Sequence, residues 1–245
     1  MAGVRVPAGE VERIERSLEI CRRATTVDHL RTLLMEALCE VYGYPNTTFL
    51  SGDTFRRAFS DPEPVTTGRI TPILDEYQAR WRQDDMFSLP RSYALLKTEP
   101  ALSSEQLFGM PTPAREYMNG FLNRHGLRSA SVLHIDLPAR WHGLVGIFDD
   151  EGKQPTRWTL AGLATLAEKL SDFAVTLPTS RRHRWDAKLS PRLREVADMV
   201  IEGFTNEEIS QALVLSPESV KTYVSRVLTA TETRNRSELV RVASN

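Results

Sequence analysis

The chain predicts an α+β protein of two unlike parts, a mixed domain in which helices flank an antiparallel sheet and a smaller domain built of helices alone. Three observations predict it. Capped amphipathic segments follow one another closely after residue 189, a period-two apolar hairpin lies near residues 129–148, and helical apolar stripes open and close the segment that holds the hairpin. At 245 residues, 41% hydrophobic and 26% charged, the chain can bury two cores of ordinary size. The boundaries are expected at 8–177 for the mixed domain, 178–188 for a linker and 189–245 for the helical domain.

Val11, Ile14, Leu18 and Cys21 mark a first helix, and Leu30, Leu33, Leu34, Ala37, Leu38 and Val41 a second that stops at Gly43. Asn46–Leu50 reads as a strand. Ser129–Leu137 and Trp141–Phe148 alternate in polarity about Pro138, Ala139 and Arg140, which is the pattern of an antiparallel hairpin. From Thr156 a long helix carries Leu160, Leu163, Leu166, Ala167, Leu170, Phe173 and Ala174 along one face.

The C-terminal helices can be placed from their caps. Ser190 before Pro191 supplies a capping hydroxyl and a proline whose missing N–H costs nothing in the first turn; Val196, Ala197, Val200 and Ile201 follow, and Gly203 provides a left-handed stop. Thr205 and Glu208 form a capping box before Ile209, Ala212 and Leu213. Ser216 and Pro217 repeat the first signal, after which Val220, Tyr223, Val224, Val227 and Leu228 make one face while Lys221, Thr222, Ser225 and Arg226 make the other. A polar helix face is usually only solvated. Three capped helices in succession about one apolar core favour instead a helix-turn-helix whose third helix enters the DNA major groove, where Lys donates to guanine and Thr or Ser meets several base edges. Lys221, Thr222 and Ser225 are the candidate base readers, with Arg226 beside them. Ser190, Thr205, Ser216 and Ser219, the free N–H groups behind them, Asn206, Arg192 and Arg236 are the candidates for phosphate.

These residues also carry a family likeness. Leu189, Arg192, Glu195, Val196, Gly203, Asn206, Glu208, Ile209, Leu213, Ser216, Val220, Lys221, Val224 and Arg236 resemble the signature of LuxR-type transcription regulators over residues 189–240. The resemblance implies a four-helix unit whose helix 217–229 reads DNA, and a homodimer on paired half-sites. Three departures stand out. Leu193 replaces the glutamate that completes the first capping box, Tyr223 stands where His is usual, and Ala230, Thr231, Glu232 and Thr233 replace Lys-Leu and Gly-Val at a dimer contact.

The order of elements in 8–177 resembles GAF/PAS-like α-β-α sensory domains, including the autoinducer-binding domains of quorum-sensing LuxR proteins. Tyr77, Trp81 and Asp85 resemble the aromatic pair and aspartate of that pocket, and the resemblance implies that two rings on one helix face line a cavity while the carboxylate accepts a ligand N–H. Simple core packing of the two rings is the other reading. Met86 stands where the pocket motif has proline and Pro100, Ala101 and Leu102 stand where it has tryptophan, so an ordinary acyl-homoserine lactone is not the expected ligand.

Net charge is −1; residues 181–245 hold 11 Lys and Arg against 9 Asp and Glu, so the basic excess lies at the DNA-binding end, led by Arg181, Arg182, His183 and Arg184. Cys21 and Cys39 lack metal-ligand spacing and read as buried thiols. His29, His125, His134, His142 and His183 accompany no catalytic or phosphate-binding motif, so neither enzyme activity nor a cofactor is expected; His134 and His142 can face each other across the hairpin, but without a third ligand no metal is expected. No apolar run suits a signal peptide or a membrane span, which places the expected protein in the cytoplasm. The partners implied are double-stranded DNA, a second copy of the chain, a small-molecule effector and RNA polymerase. The alternatives are an N-terminal domain used only for dimerisation or protein docking and, more remotely, an enzyme with a helical tail.

Overall fold

Helices α1 (Ala8–Cys21) and α2 (Val27–Tyr42) form where the 3.6-residue stripes predict them. The Thr26 hydroxyl accepts the His29 N–H at 3.1 Å, and Gly43, at φ 73°, ends α2 in the left-handed region that costs glycine least. In this computed structural model residues 7–107, 109–151, 154–178, 189–231 and 233–243 are described; Arg181, Arg182, His183 and Arg184, and with them most of the expected linker, lie outside them.

Five strands follow: β1 (Asn46–Gly52), β2 (Val65–Thr66), β3 (Ala101–Ser103), β4 (Ser129–Asp136) and β5 (His142–Asp149). They form one antiparallel sheet in the order β2-β1-β5-β4-β3. The predicted hairpin is its centre. Alternate residues of the middle strands point to opposite faces. Phe49, Leu133, Ile135, Val145 and Ile147 lie on one face under α1, α2 and α7 (Arg157–Ala174), in a core with Leu18, Leu34, Leu38, Leu163, Leu166 and Leu170. Cys21 is buried here, whereas Cys39 lies exposed on the outer side of α2, because its place in the helical repeat falls outside the stripe of Leu34 and Leu38.

The second sheet face carries Thr48, Leu50, Ala130, Val132, His134, Leu144, Gly146 and Phe148. Short helices cover it: α3 (Phe55–Ala58), α4 (Leu74–Glu76), α5 (Pro90–Leu96) and α6 (Thr112–Glu116). Both α4 and α6 run on into π-helical turns, Tyr77–Trp81 and Tyr117–Leu122. This irregular layer, rich in aromatic residues, could not be resolved into elements from apolar periodicity. Arg31 and Asp61, both buried, pair at 2.9 Å beneath the loop after α3, and Asp61 also accepts the Ser51 N–H at 2.7 Å, so the charged pair leaves few lone pairs unsatisfied.

The C-terminal helices are α8 (Pro191–Ile201), α9 (Asn206–Leu213), α10 (Pro217–Ala230) and α11 (Arg236–Ala243). All three predicted caps form. The Thr205–Glu208 box is complete at 2.7 and 3.2 Å, Ser216 accepts from Ser219 N–H at 3.1 Å, and Ser190, whose partner position is Leu193 instead of glutamate, accepts at 3.4 Å. Val196, Ala197, Val200, Ile209, Val220, Val227 and Leu239 close a small core. Thr231 and Thr233 finish α10: the Thr231 hydroxyl donates to Val227 O at 2.8 Å and Thr233 N–H to Leu228 O.

Between α9 and α10 the chain turns at Val214, a β-branched residue held at φ 54°, ψ 50° and 91% exposed. Left-handed backbone costs an L-residue about 1–2 kcal/mol, and no contact at so exposed a position offsets it. Val214→Gly is therefore expected to stabilise the folded chain by about 1 kcal/mol, seen as a higher urea midpoint at unchanged slope; a lower midpoint would show that the valine side chain, not the backbone, governs the turn.

Candidate nucleic-acid interface and ligand cavity

The apolar stripe of α10 is drawn into the three-helix core by Val220 and Val227, which fixes the rotation of the helix about its axis. Lys221, Thr222, Ser225 and Arg226 consequently all lie exposed on its outer side. Among the described residues Lys221 and Arg226 form no ion pair, and Thr222 bonds only to Glu218 O, at 3.0 Å, within its own helix. These are donors held in one array and open to a partner. Tyr223, at the place of the family's histidine, is half-buried against the core.

Two of the cations expected at phosphates are already engaged. Arg192 pairs with Glu195 at 2.5 Å and donates to Leu213 O at 3.1 Å, tying α8 to the end of α9. Arg236 donates to Phe204 O and to Asn206 Oδ1, the latter at 3.2 Å, and so anchors α11 to the start of α9. Ser190, Thr205 and Ser216 accept helix N–H groups, and the Ser219 hydroxyl meets that of Ser216 at 2.9 Å.

The helical part does not stand apart from the sheet. Phe204, fully buried, meets Tyr93 of α5 with ring centroids 5.5 Å apart, and Arg56 lies over its ring at 4.9 Å while pairing with Glu208 at 2.7 Å. Arg140, in the hairpin turn, pairs with Asp198 at 3.0 Å. At the end of α8 the buried Glu202 accepts the Phe55 N–H and lies 2.8 Å from His142 Nε2, whose Nδ1 is 2.8 Å from His134 Nε2. The two histidines thus do meet across the hairpin, and they are buried because the helical domain covers them. Burial, then the neighbouring His142 and Lys97, holds His134 well below its ordinary pKa. Hydropathy gave no hint of Glu202 as an interdomain residue; as a carboxylate at a helix C-terminus, where the dipole disfavours it, it was the visible anomaly.

On the same sheet face lies an apolar cavity of about 40 Å³. Thr48, Leu50, Val132, Leu144, Gly146 and Phe148 form its floor, and Tyr77, Phe87, Tyr117, Phe121 and Leu122 its roof. Gly146 is required there, since a Cβ would stand 2.8 Å from the Phe148 ring and from the Thr48 methyl. Asp85 is the acidic group in the wall, accepting from Tyr77 Oη at 3.0 Å, from Phe87 N–H at 2.9 Å, and from Tyr117. The sequence singled out Tyr77 and Asp85; it missed Tyr117, which lies 40 residues downstream of Tyr77 and reaches Asp85 only through the fold. Trp81 stands behind this wall. Its indole stacks on Phe121 at 5.7 Å and donates to Glu76 at 3.0 Å, because the wider π turn carries it past the cavity edge.

Residues 187–243 match the family described as bacterial regulatory proteins, luxR family, and this part of the chain is a LuxR-type helix-turn-helix domain. It is 43% identical over 58 residues to a probable transcriptional regulator, ycf29, of Pyropia yezoensis, covering 24% of this chain and 26% of that protein, and 39% identical over 57 residues to the transcriptional regulatory protein FixJ of Bradyrhizobium diazoefficiens, covering 23% and 28%. The chain thus spans about a quarter of the length of the curated relatives it matches. Among solved structures, Escherichia coli SdiA aligns over 96% of both chains at 17% identity and TM-score 0.41, and the ligand-binding domain of Pseudomonas aeruginosa VqsR over 71% of this chain and all of its own at 13% and 0.45. At those values the role of residues 7–178 rests on their own geometry. Among the described residues no helix is long and apolar enough to cross a membrane.

Burial pushes the Asp85 carboxyl up to about 6 from 3.8. The folded chain therefore holds a proton that the unfolded chain has lost between about pH 4 and pH 6, and stability falls as pH rises through that window, by about 3 kcal/mol at most. In Asp85→Asn this loss is expected to disappear, as thermal melts across pH 4–7 would register; an unchanged pH slope in the variant would assign the effect to another group.

Proposed function

We propose that this chain is a LuxR-type transcription regulator, not an enzyme, whose α10 reads double-stranded DNA and whose sheet domain senses a small molecule. The carrying observation is the open array of Lys221, Thr222, Ser225 and Arg226 on a helix rotationally fixed by its buried valines. The docked sheet domain leaves that array exposed. In this reading Lys221, Thr222 and Ser225 meet base edges, while Arg226, the hydroxyls of Ser190, Thr205, Ser216 and Ser219 and the helix N-termini take phosphate; Arg192, Asn206 and Arg236 serve chiefly by holding the helices in register, and approach phosphate from the side. Two half-sites require two copies of the chain, with the mixed domain at 8–177 supplying dimerisation and 189–245 the DNA contact.

The effector reading rests on Asp85. Its carboxyl is held by Tyr77, Tyr117 and the Phe87 N–H, and this small polar cluster stands in the wall of an otherwise apolar cavity, the combination of apolar lining and a few convergent polar groups that ligand sites use. A molecule with a hydrogen-bond donor at the head and an apolar body fits that chemistry, with Tyr77, Tyr117 and Asp85 at the head and Trp81 stiffening the wall from behind through Phe121. Ligand-binding pockets run to several hundred Å³, so entry of such a molecule requires the roof to part. Its π-helical turns, whose backbone bonds are less regular than those of an α-helix, are the segment suited to do so.

Two measurements test these assignments. Lys221→Ala is expected to lower the ratio of specific to random duplex affinity by roughly 1–3 kcal/mol, whereas Arg226→Ala weakens both duplexes alike and reduces the salt slope by about 1; an unchanged ratio removes Lys221 from base reading. For the cavity, small-molecule extracts or libraries that raise the melting temperature of the wild-type chain should leave Gly146→Val unmoved, since the added side chain fills the floor. Equal stabilisation of both would place the ligand elsewhere.

A further inference from the structure

The end of the cavity-bearing sheet face nearest the helical domain gathers three side chains with metal-binding atoms. Asp136 and His142 are direct partners across β4 and β5, and His134 sits two residues back along β4 on the same face. Their ligand atoms all lie within 4.8 Å of one another. The two imidazoles are buried against Phe55 and Tyr93 while Asp136 is exposed at the strand end. Behind His142, on the nitrogen turned away from His134, stands the buried carboxylate of Glu202 at 2.8 Å.

We propose that His134, His142 and Asp136 bind a divalent transition-metal ion of the zinc class, and that Glu202 of the LuxR-type domain is the carboxylate that orients His142 behind it.

Two imidazoles and one carboxylate are a donor set for zinc and its neighbours, with solvent completing a tetrahedron. A cleft of about 370 Å³ opens on Asp136 and His142 and gives that fourth ligand room. Histidines that ligate metals commonly give their second N–H to a carboxylate, which fixes the tautomer and raises the basicity of the ligating nitrogen. Glu202 stands in that position already. With Nε2–H directed at Glu202, His142 offers the Nδ1 lone pair toward His134, so in the empty site His134 donates its Nε2–H across the 2.8 Å contact. On binding, His134 carries its proton on Nδ1 instead and turns the freed Nε2 lone pair to the ion. Both imidazoles stay neutral, Asp136 binds as its carboxylate, and no proton leaves the site. Bonds of 2.0–2.1 Å in a tetrahedron set two nitrogens about 3.3–3.4 Å apart, so the rings need separate by about half an ångström from their 2.8 Å contact. The cleft is net acidic, which suits a cation: Asp53, Asp136, Asp198 and Glu202 stand against Lys97 and Arg140, and Arg140 is paired with Asp198. Since the ion makes His142 Nε2–H a stronger donor to Glu202, binding tightens the contact between the sheet and the DNA-binding domain.

The test uses the full chain, stripped by a chelator and titrated with zinc alone by calorimetry, and with cobalt(II) as a spectroscopic reporter of geometry. One zinc per chain, a visible tetrahedral cobalt band and a rise in melting temperature are expected. Asp136→Asn, at an exposed position that leaves the core intact, and His134→Gln should each weaken zinc binding at least about tenfold and abolish the cobalt band, and Glu202→Gln should weaken it about 10–100-fold while keeping the band. Should His134→Gln fail to fold, Asp136→Asn decides alone. Absence of stoichiometric zinc binding at micromolar concentrations, or zinc affinity unchanged in Asp136→Asn, overturns the proposal. No DNA or organic effector enters the experiment, so its outcome is separate from that of the regulatory reading.

Discussion

Everything positioned around the sheet depends on the two-residue period of β1, β5 and β4. One face receives Phe49, Leu133, Ile135, Val145 and Ile147 and closes the main core under three long helices. The other receives Leu50, Val132, Leu144 and Phe148, which floor the cavity, and then His134, Asp136 and His142, which reach the helical domain. A slip of one residue would exchange these sets, sending histidines into the core and leucines to the interface. The register is held from both sides, because Gly143 and Gly146 stand where any side chain would strike the Phe49 or Phe148 ring.

Cavity and interface are therefore two ends of one surface. Leu144 in the cavity floor is the direct cross-strand partner of His134, and His142, two residues before it, meets Glu202. A buried carboxylate without partners would cost several kcal/mol. Among the described residues the Glu202 carboxylate finds its partners on the sheet domain, in His142 and the Phe55 N–H, so withdrawing the helical domain would leave His142 to water and a hydrophobic surface around Phe204 uncovered. The aromatic contact supplies adhesion and the polar one supplies orientation, a division that follows from the weak directionality of apolar burial and the strong directionality of a charge-assisted hydrogen bond.

The roof over the cavity obeys no single period. Its helices are short, two of them widen into π turns, and Tyr77, Asp85 and Tyr117 meet across 40 residues of chain. The resemblance of Tyr77, Trp81 and Asp85 to a sensor pocket pointed to a segment that does line a cavity. It did not distinguish the ring that faces the cavity from the ring that backs it, because Tyr77 and Trp81 share a helix face in an α-helix and diverge in depth when the turn widens to π.

What the sequence by itself determined is local: the caps at Ser190, Thr205 and Ser216, the stop at Gly43, the hairpin either side of Pro138, and the polar face of α10 all follow from hydrogen-bond chemistry and periodicity within a few residues. These signals are short-ranged, so they can be read without knowing what lies across the molecule. Tertiary structure alone decided that Arg192 and Arg236 turn inward to the carbonyls of Leu213 and Phe204, that His134 and His142 are buried, and that Glu202 and Asp136 come to stand beside them. The reason is the same in each case. A polar side chain's environment is set by whichever surface covers it, and here the covering surface arrives from 60 residues away.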